Sequence, residues 1–133
     1  MQEFESNNGS KEESTFRALL RELRRYPAMP RPAEVARLFV RLLELGKIRD
    51  VVMMLPEWIV DTVGAAKLES IFFDNAAELR AKGGILRLEI MGERSDDQSA
   101  EVDVSMCYRD GTSDSERIVL VREKKEWKVD MSK

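Results

Sequence analysis

The stretch Glu78-Leu79-Arg80-Ala81-Lys82-Gly83-Gly84-Ile85-Leu86-Arg87-Leu88-Glu89-Ile90 changes its periodicity at the double glycine. Upstream, Leu68, Ile71, Phe72, Ala76 and Leu79 recur at three- and four-residue spacing, which predicts a helix over about Ala65 to Lys82 with one buried face. Arg80 and Lys82 suit the negative end of that helix, and Gly83-Gly84 stops it. Downstream, Leu86, Leu88 and Ile90 alternate with Arg87 and Glu89, the two-residue period of a strand. A helix followed only by strands predicts an α+β domain in which helices lie across a curled antiparallel sheet.

Further downstream the alternation continues. Ala100, Val102, Val104, Met106 and Tyr108 interleave with Glu101, Asp103, Ser105 and Cys107, and Asp110-Gly111 is a turn signal. Ile118, Leu120 and Arg122 alternate with Val119 and Val121, so this third strand is apolar on both faces and is expected in the sheet interior or under another chain. Lys124-Lys125 forms the tip of the last hairpin, and Trp127, Val129 and Met131 form the final strand.

Upstream, Val35, Leu38, Phe39, Leu42 and Leu43 fit a helix from Ala33 to Leu45, with Gly46 as its left-handed cap. A short helix over Lys47 to Leu55 turns Ile48, Val51, Val52 and Leu55 inward, and Pro56 stops it. Trp58 and Ile59 fall in the connection that follows, as a lid on the core. Residues 1–9 read as a disordered tail, 10–26 as an additional N-terminal helix, 27–32 as a proline-rich linker and 33–133 as the main domain. The additional helix starts at a capping box, Ser10 with Glu13, and carries Phe16, Leu19, Leu20 and Leu23 as its stripe.

Composition excludes several classes. The chain of 133 residues has room for one core. A net charge of −3 argues against a nucleic-acid partner, which calls for a basic face. Histidine is absent, which removes the commonest general base and metal ligand. No cofactor and no metal site is expected. Cys107 is the only cysteine, so the fold uses no internal disulfide. No apolar run has the length of a transmembrane segment. The start Met1-Gln2-Glu3-Phe4-Glu5 lacks the pattern of an export signal. As written the sequence predicts a cytoplasmic protein, the alternative being an exported or lipid-anchored one whose signal is not part of this sequence.

Several of these segments together resemble a known superfold. They are Ala33–Leu45 with Gly46-Lys47, the link containing Pro56, and the helix ending in Lys82-Gly83-Gly84. The turn Tyr108-Arg109-Asp110-Gly111-Thr112 and the close from Leu120 to Asp130 complete the set. The pattern is similar to the nuclear-transport-factor-2-like (cystatin-like) superfold, and within it to a bacterial domain-of-unknown-function family common in small lipoproteins. The resemblance spans about residues 33 to 131. It implies a cone-shaped fold with helices on the concave face of the sheet, and often a homodimer through the sheet. The added helix and the missing lipidated cysteine depart from the lipoprotein pattern.

In that frame the candidate functional residues are these. Asp61, Asp74 and Asp103 are the carboxylates considered for isomerase or dehydratase chemistry, and each also reads as a cap or a solvated face. Met54, Trp58, Phe72, Leu88, Met106 and Trp127 are the candidates for lining a cone pocket that takes a small apolar ligand. Arg17, Arg21, Arg24 and Arg25 form a basic helix face. Glu93, Asp96, Asp97, Glu101 and Asp103 form an acidic patch without calcium-loop spacing. Val119, Val121 and Cys107 on the outer sheet face, with Phe16 and Leu20 of the first helix, are the interface candidates. The expected function is a non-catalytic protein-binding or accessory domain, recognising a partner or itself through those surfaces. The alternatives are a small-molecule carrier, a pocket enzyme, and an acidic inhibitor that masks a basic partner.

Overall fold

A computed structural model of the protein describes residues 30–131. The chain divides into two units between Pro30 and Arg31, and the second holds all the helices and strands described below. The predicted tail, the additional helix and the first half of the linker, with Phe16, Leu20 and the four arginines, lie outside the described residues.

Among the described residues four helices precede four strands: α1 Pro32–Glu44, α2 Ile48–Met53, α3 Glu57–Val63, α4 Ala65–Ala81, β1 Ile85–Ser95, β2 Ser99–Tyr108, β3 Ser113–Glu123 and β4 Glu126–Val129. The strands form one antiparallel meander in the order β1-β2-β3-β4. The third strand is therefore interior, as its two apolar faces predicted.

The helices form where the apolar spacing and the caps agree. Pro32 opens α1, where a missing N–H costs nothing. Glu93 of β1 reaches back to accept from the Ala33 amide at 3.3 Å and from Arg31 Nη2 at 3.0 Å, satisfying an orphan donor at the helix start. At the other end the Gly46 amide donates to the Leu43 carbonyl and the Lys47 amide to that of Leu42. Gly46 adopts φ +76°, the left-handed value a side chain disfavours. The buried face of α1 is wider than the predicted stripe: Ala36 and Val40 are buried with Val35, Leu38, Phe39 and Leu42. The cause is double coverage, because α1 packs against the sheet on one side and against α2 and α4 on the other.

Gly83 and Gly84 do more than end α4. The Gly83 and Gly84 carbonyl region meets the β2–β3 turn, where the Arg109 amide donates to Gly84 O at 3.0 Å and the Asp110 amide to Lys82 O at 3.0 Å. Glu44 Oε2 accepts the Ile85 amide at 2.9 Å. One junction thus joins the ends of α1 and α4 to the turn that follows β2.

Several expectations need correction, among them Met131, which lies beyond the end of β4 and is exposed. Trp58 and Ile59 lie in a helix, α3, which the proline at its N-cap position and the Glu123 carboxylate initiate together: both Glu123 oxygens accept the Glu57 amide, at 3.0 and 3.2 Å. Ile59 is buried there, but Trp58 is 50% exposed and covers nothing. Ile71 is likewise exposed, on the flank of α4. In β1 a register shift between Ile85 and Arg87 leaves Leu86 as an extra residue, so Ile85 and Leu88 are buried and Leu86 is exposed. A second shift between Ile90 and Gly92 exposes Met91 in the same way. Such bulges bend a strand and add twist, which curves the sheet around the helices.

The core lies between the helices and the inner face of the sheet. Ala100, Val102, Val104, Met106 and Tyr108 are all buried, as the alternation in β2 predicted. Phe72 of α4 is 1% exposed and meets Phe39 of α1 edge to face, with centroids 5.9 Å apart. Trp127 is buried under the guanidinium of Arg122 at 5.2 Å. The last strand is held from outside the sheet as well, by the Val129 amide donating to Met54 O at 2.8 Å.

Candidate binding cleft

Helices α1 and α4 leave the inner sheet face uncovered toward the starts of β3 and the ends of β2. The result is a cleft of about 270 Å³. Phe39, Val40 and Leu43 come from α1, and Asn75, Glu78, Leu79 and Lys82 from α4. Met106 and Tyr108 come from β2, and Asp114, Glu116 and Ile118 from β3. The helical residues fall together because Asn75, Glu78, Leu79 and Lys82 recur at three- and four-residue spacing. The strand residues fall together because Asp114, Glu116 and Ile118 share one parity, and register pairs Asp114 with Met106 and Glu116 with Val104.

The polar groups at the rim are organised around Tyr108. Its hydroxyl donates to Asp114 Oδ2 at 3.0 Å, and Lys82 Nζ lies 3.3 Å from the same oxygen and 4.6 Å above the phenol ring. Tyr108 is only 3% exposed. Burial, then the hydrogen bond to Asp114 and its charge, push the phenol up to about 12, so near neutrality it is a neutral donor. Asp114 is an anion already held by Lys82 and Tyr108. The cleft therefore offers apolar surface from Phe39, Val40, Leu43 and Ile118, with carboxylate, carboxamide and phenol groups contributed by both α4 and the sheet.

Few of the residues singled out from sequence meet here. Of the six pocket candidates, Met106 lines the cleft. Phe72, Leu88 and Trp127 are buried in the core, Met54 is half-buried beside β4, and Trp58 is exposed on α3. Asp61 and Asp74 are exposed on α3 and α4. Asp103 is on the outer sheet face, 2.9 Å from Arg117 Nε and 3.4 Å from Arg94 Nη1, and the hydrogen bond from Arg117 is the main cause that holds its carboxyl below the usual range.

The acidic patch divides among separate structural tasks. Glu93 serves the start of α1. Asp96 accepts the Gln98 and Ser99 amides at 2.8 and 2.9 Å, which lowers its pKa. Glu101 pairs with Arg94 at 2.7 Å. Among the described residues no group of three or more histidine, cysteine, aspartate or glutamate side chains could hold a metal ion. No described helix is long and apolar enough to cross a membrane.

The interface candidates separate too. Val119 and Val121 are half-buried on the outer face, opposite Glu101 and Ser99. Cys107 lies at the other end of β2, opposite Ser113 and Arg87, with Arg87 Nη2 at 3.9 Å from its sulfur. Asp103, Ser105 and Arg117 intervene, so the three do not form one apolar strip.

Sequence reading missed Asn75, Glu78, Lys82, Tyr108, Asp114 and Glu116. A signal existed. Extending the third strand back from Ile118 at its own parity reaches Glu116 and Asp114, which places two carboxylates on the face that must turn inward.

No family model matches this chain, and no curated protein matches it. A solved structure does: a Campylobacter jejuni protein provisionally named an NTF2-like transpeptidase. It superposes with a TM-score of 0.68 at 20% sequence identity, covering 76% of this chain and 98% of that one. At that identity the likeness speaks to backbone architecture, and it agrees with four helices packed on a bent antiparallel meander. The chain has the nuclear-transport-factor-2-like fold.

Proposed function

We propose that this domain binds a small molecule in the cleft between α1, α4 and the inner sheet face. The observation that carries the reading is the convergence of apolar side chains and hydrogen-bonding groups, from helix and sheet alike, on a single concavity. Binding is favoured over the transpeptidase activity in the name of the similar Campylobacter jejuni protein. No serine, threonine or cysteine is among the described residues lining the cleft, and Lys82 is engaged as a cation by Asp114. Native mass spectrometry of gently isolated protein tests the reading. Wild-type protein is expected to carry a defined additional mass that Leu43→Trp, which fills the cleft, loses. An adduct retained by Leu43→Trp would place the ligand elsewhere.

A second reading is recognition of a protein partner or a second copy through the outer sheet face. It rests on Val119 and Val121, two half-buried valines spaced two apart on β3 and flanked by the Arg94, Glu101, Asp103 and Arg117 ion pairs. Size-exclusion chromatography with light scattering tests it: Val119→Asp is expected to yield a folded monomer, and an unchanged assembly would rule that surface out.

A further inference from the structure

We infer that the cleft selects a small organic cation, an ammonium group on a compact apolar body, an inference that rests on the small-molecule reading above. Its lining carries three carboxylates, Glu78, Asp114 and Glu116, against one ammonium, Lys82. Lys82 and Asp114 neutralise each other at 3.3 Å, and the Tyr108 hydroxyl donates a hydrogen bond to the same aspartate. Neither Glu78 nor Glu116 has an ion-pair partner among the described residues. One comes from the helix side of the cleft and the other from the sheet side. A ligand between them meets negative potential from two walls.

An anion in the same place would face those carboxylates and compete with Asp114 for Lys82. A bare metal ion fits no better, because the carboxylates are not gathered into a metal-holding group. Asp114 and Glu116 stand two residues apart on one strand, roughly 7 Å between Cα atoms. They therefore do not chelate one ion, whereas the apolar lining of Phe39, Leu43 and Ile118 suits the hydrocarbon body of an organic cation. The volume of about 270 Å³ lies just below the roughly 300 Å³ at which ligand pockets usually begin, so the ligand is small.

Three matched probes test this: benzylammonium, benzyl alcohol and benzoate, titrated into isotopically labelled protein at low ionic strength while backbone amide signals are followed. Benzylammonium is expected to shift Leu79, Lys82, Met106 and Ile118 and to bind about tenfold more tightly than benzyl alcohol, the ratio expected of about 1.4 kcal/mol. The double variant Glu78→Gln, Glu116→Gln is isosteric at exposed positions, and it is expected to reduce that preference below about threefold. Equal binding of the cation and the alcohol in the cleft would overturn the ligand class while leaving the site in place. Preferred binding of benzoate would overturn it in favour of Lys82 as the anchor. A preference retained by the double variant would also overturn it. Shifts confined to other surfaces, or none with any probe, would overturn the cleft as a binding site altogether.

Discussion

Replacing Phe72 by alanine tests the packing that shapes both core and cleft. Phe72 is 1% exposed, while its neighbour Phe73 is 59% exposed. Removing the buried ring forfeits about 1.5–3 kcal/mol of transfer free energy. It also loses the edge-to-face contact with Phe39, about 0.5–1.5 kcal/mol. With the cavity left behind, the expected cost is about 3–5 kcal/mol. Phe73→Ala has much less burial to lose, and its effect should stay within about 1 kcal/mol. Urea unfolding followed by tryptophan fluorescence measures both. At a slope of about 1.5 kcal/mol/M, a loss of about 4 kcal/mol moves the midpoint by about 2.7 M. Where Phe72→Ala is too unstable to measure, Phe72→Leu preserves the ordering with a smaller loss. Equal losses at the two positions, or a larger loss at Phe73, would refute the reasoning. That result would mean α4 is rotated by about 100° around its axis, which would also remove Asn75, Glu78 and Lys82 from the cleft.

Three other outcomes are expected. Lys124 and Lys125 at the β3–β4 tip have φ of 52° and 66°, so Lys124→Asn with Lys125→Gly should stabilise the fold by about 1 kcal/mol in thermal or urea unfolding. Gly83 has φ +86° and a Cβ there would lie 3.0 Å from Arg109 Cβ, whereas Gly111 has φ +94° in open space. Both alanine substitutions should cost about 1–2 kcal/mol for the backbone, and the Gly83 variant should be measurably worse because the α4–turn junction must also shift. The phenol of Tyr108 is raised to about 12 by burial and by Asp114, which means the folded state holds its proton more tightly than the unfolded state. The associated stability is complete below the ordinary phenol value of about 10 and is lost as pH rises through about 12. Ultraviolet titration of Tyr26→Phe protein, in which Tyr108 is the one remaining tyrosine, should show that late transition, and Asp114→Asn should bring it down.

The legible part of the fold was the part in which local spacing and burial carry the same information. Phe72, Leu68 and Ala76 are inward on α4, and Ala100 to Tyr108 alternate inward on β2, because those segments are regular and each has one apolar face. Errors arose where regularity broke. In β1 the alternation pointed to Leu86, but a bulge transfers burial to Ile85, and nothing in Ile85-Leu86 distinguishes which residue the ladder skips. Trp58 was read as a lid in the connection after Pro56, whereas it stands exposed on α3, whose Glu57 amide is held by Glu123, 66 residues away.

The cleft illustrates the same division. Its lining comes from α1, α4, β2 and β3, and no local pattern links Leu43 to Glu78 or Glu116. Asp114 and Glu116 look like ordinary solvated charges beside Ser113 and Ser115, and their meaning depends on the extent of β3, whose start is set by pairing with β2. The order of elements, the caps at Gly46 and Gly83-Gly84 and the inward faces of regular segments were determined by the sequence alone, because periodicity and backbone preference act over a few residues. Register, bulges and the meeting of Lys82, Tyr108 and Asp114 were decided only by tertiary structure, because they follow from contacts between residues far apart in the chain, whose energies no single segment contains.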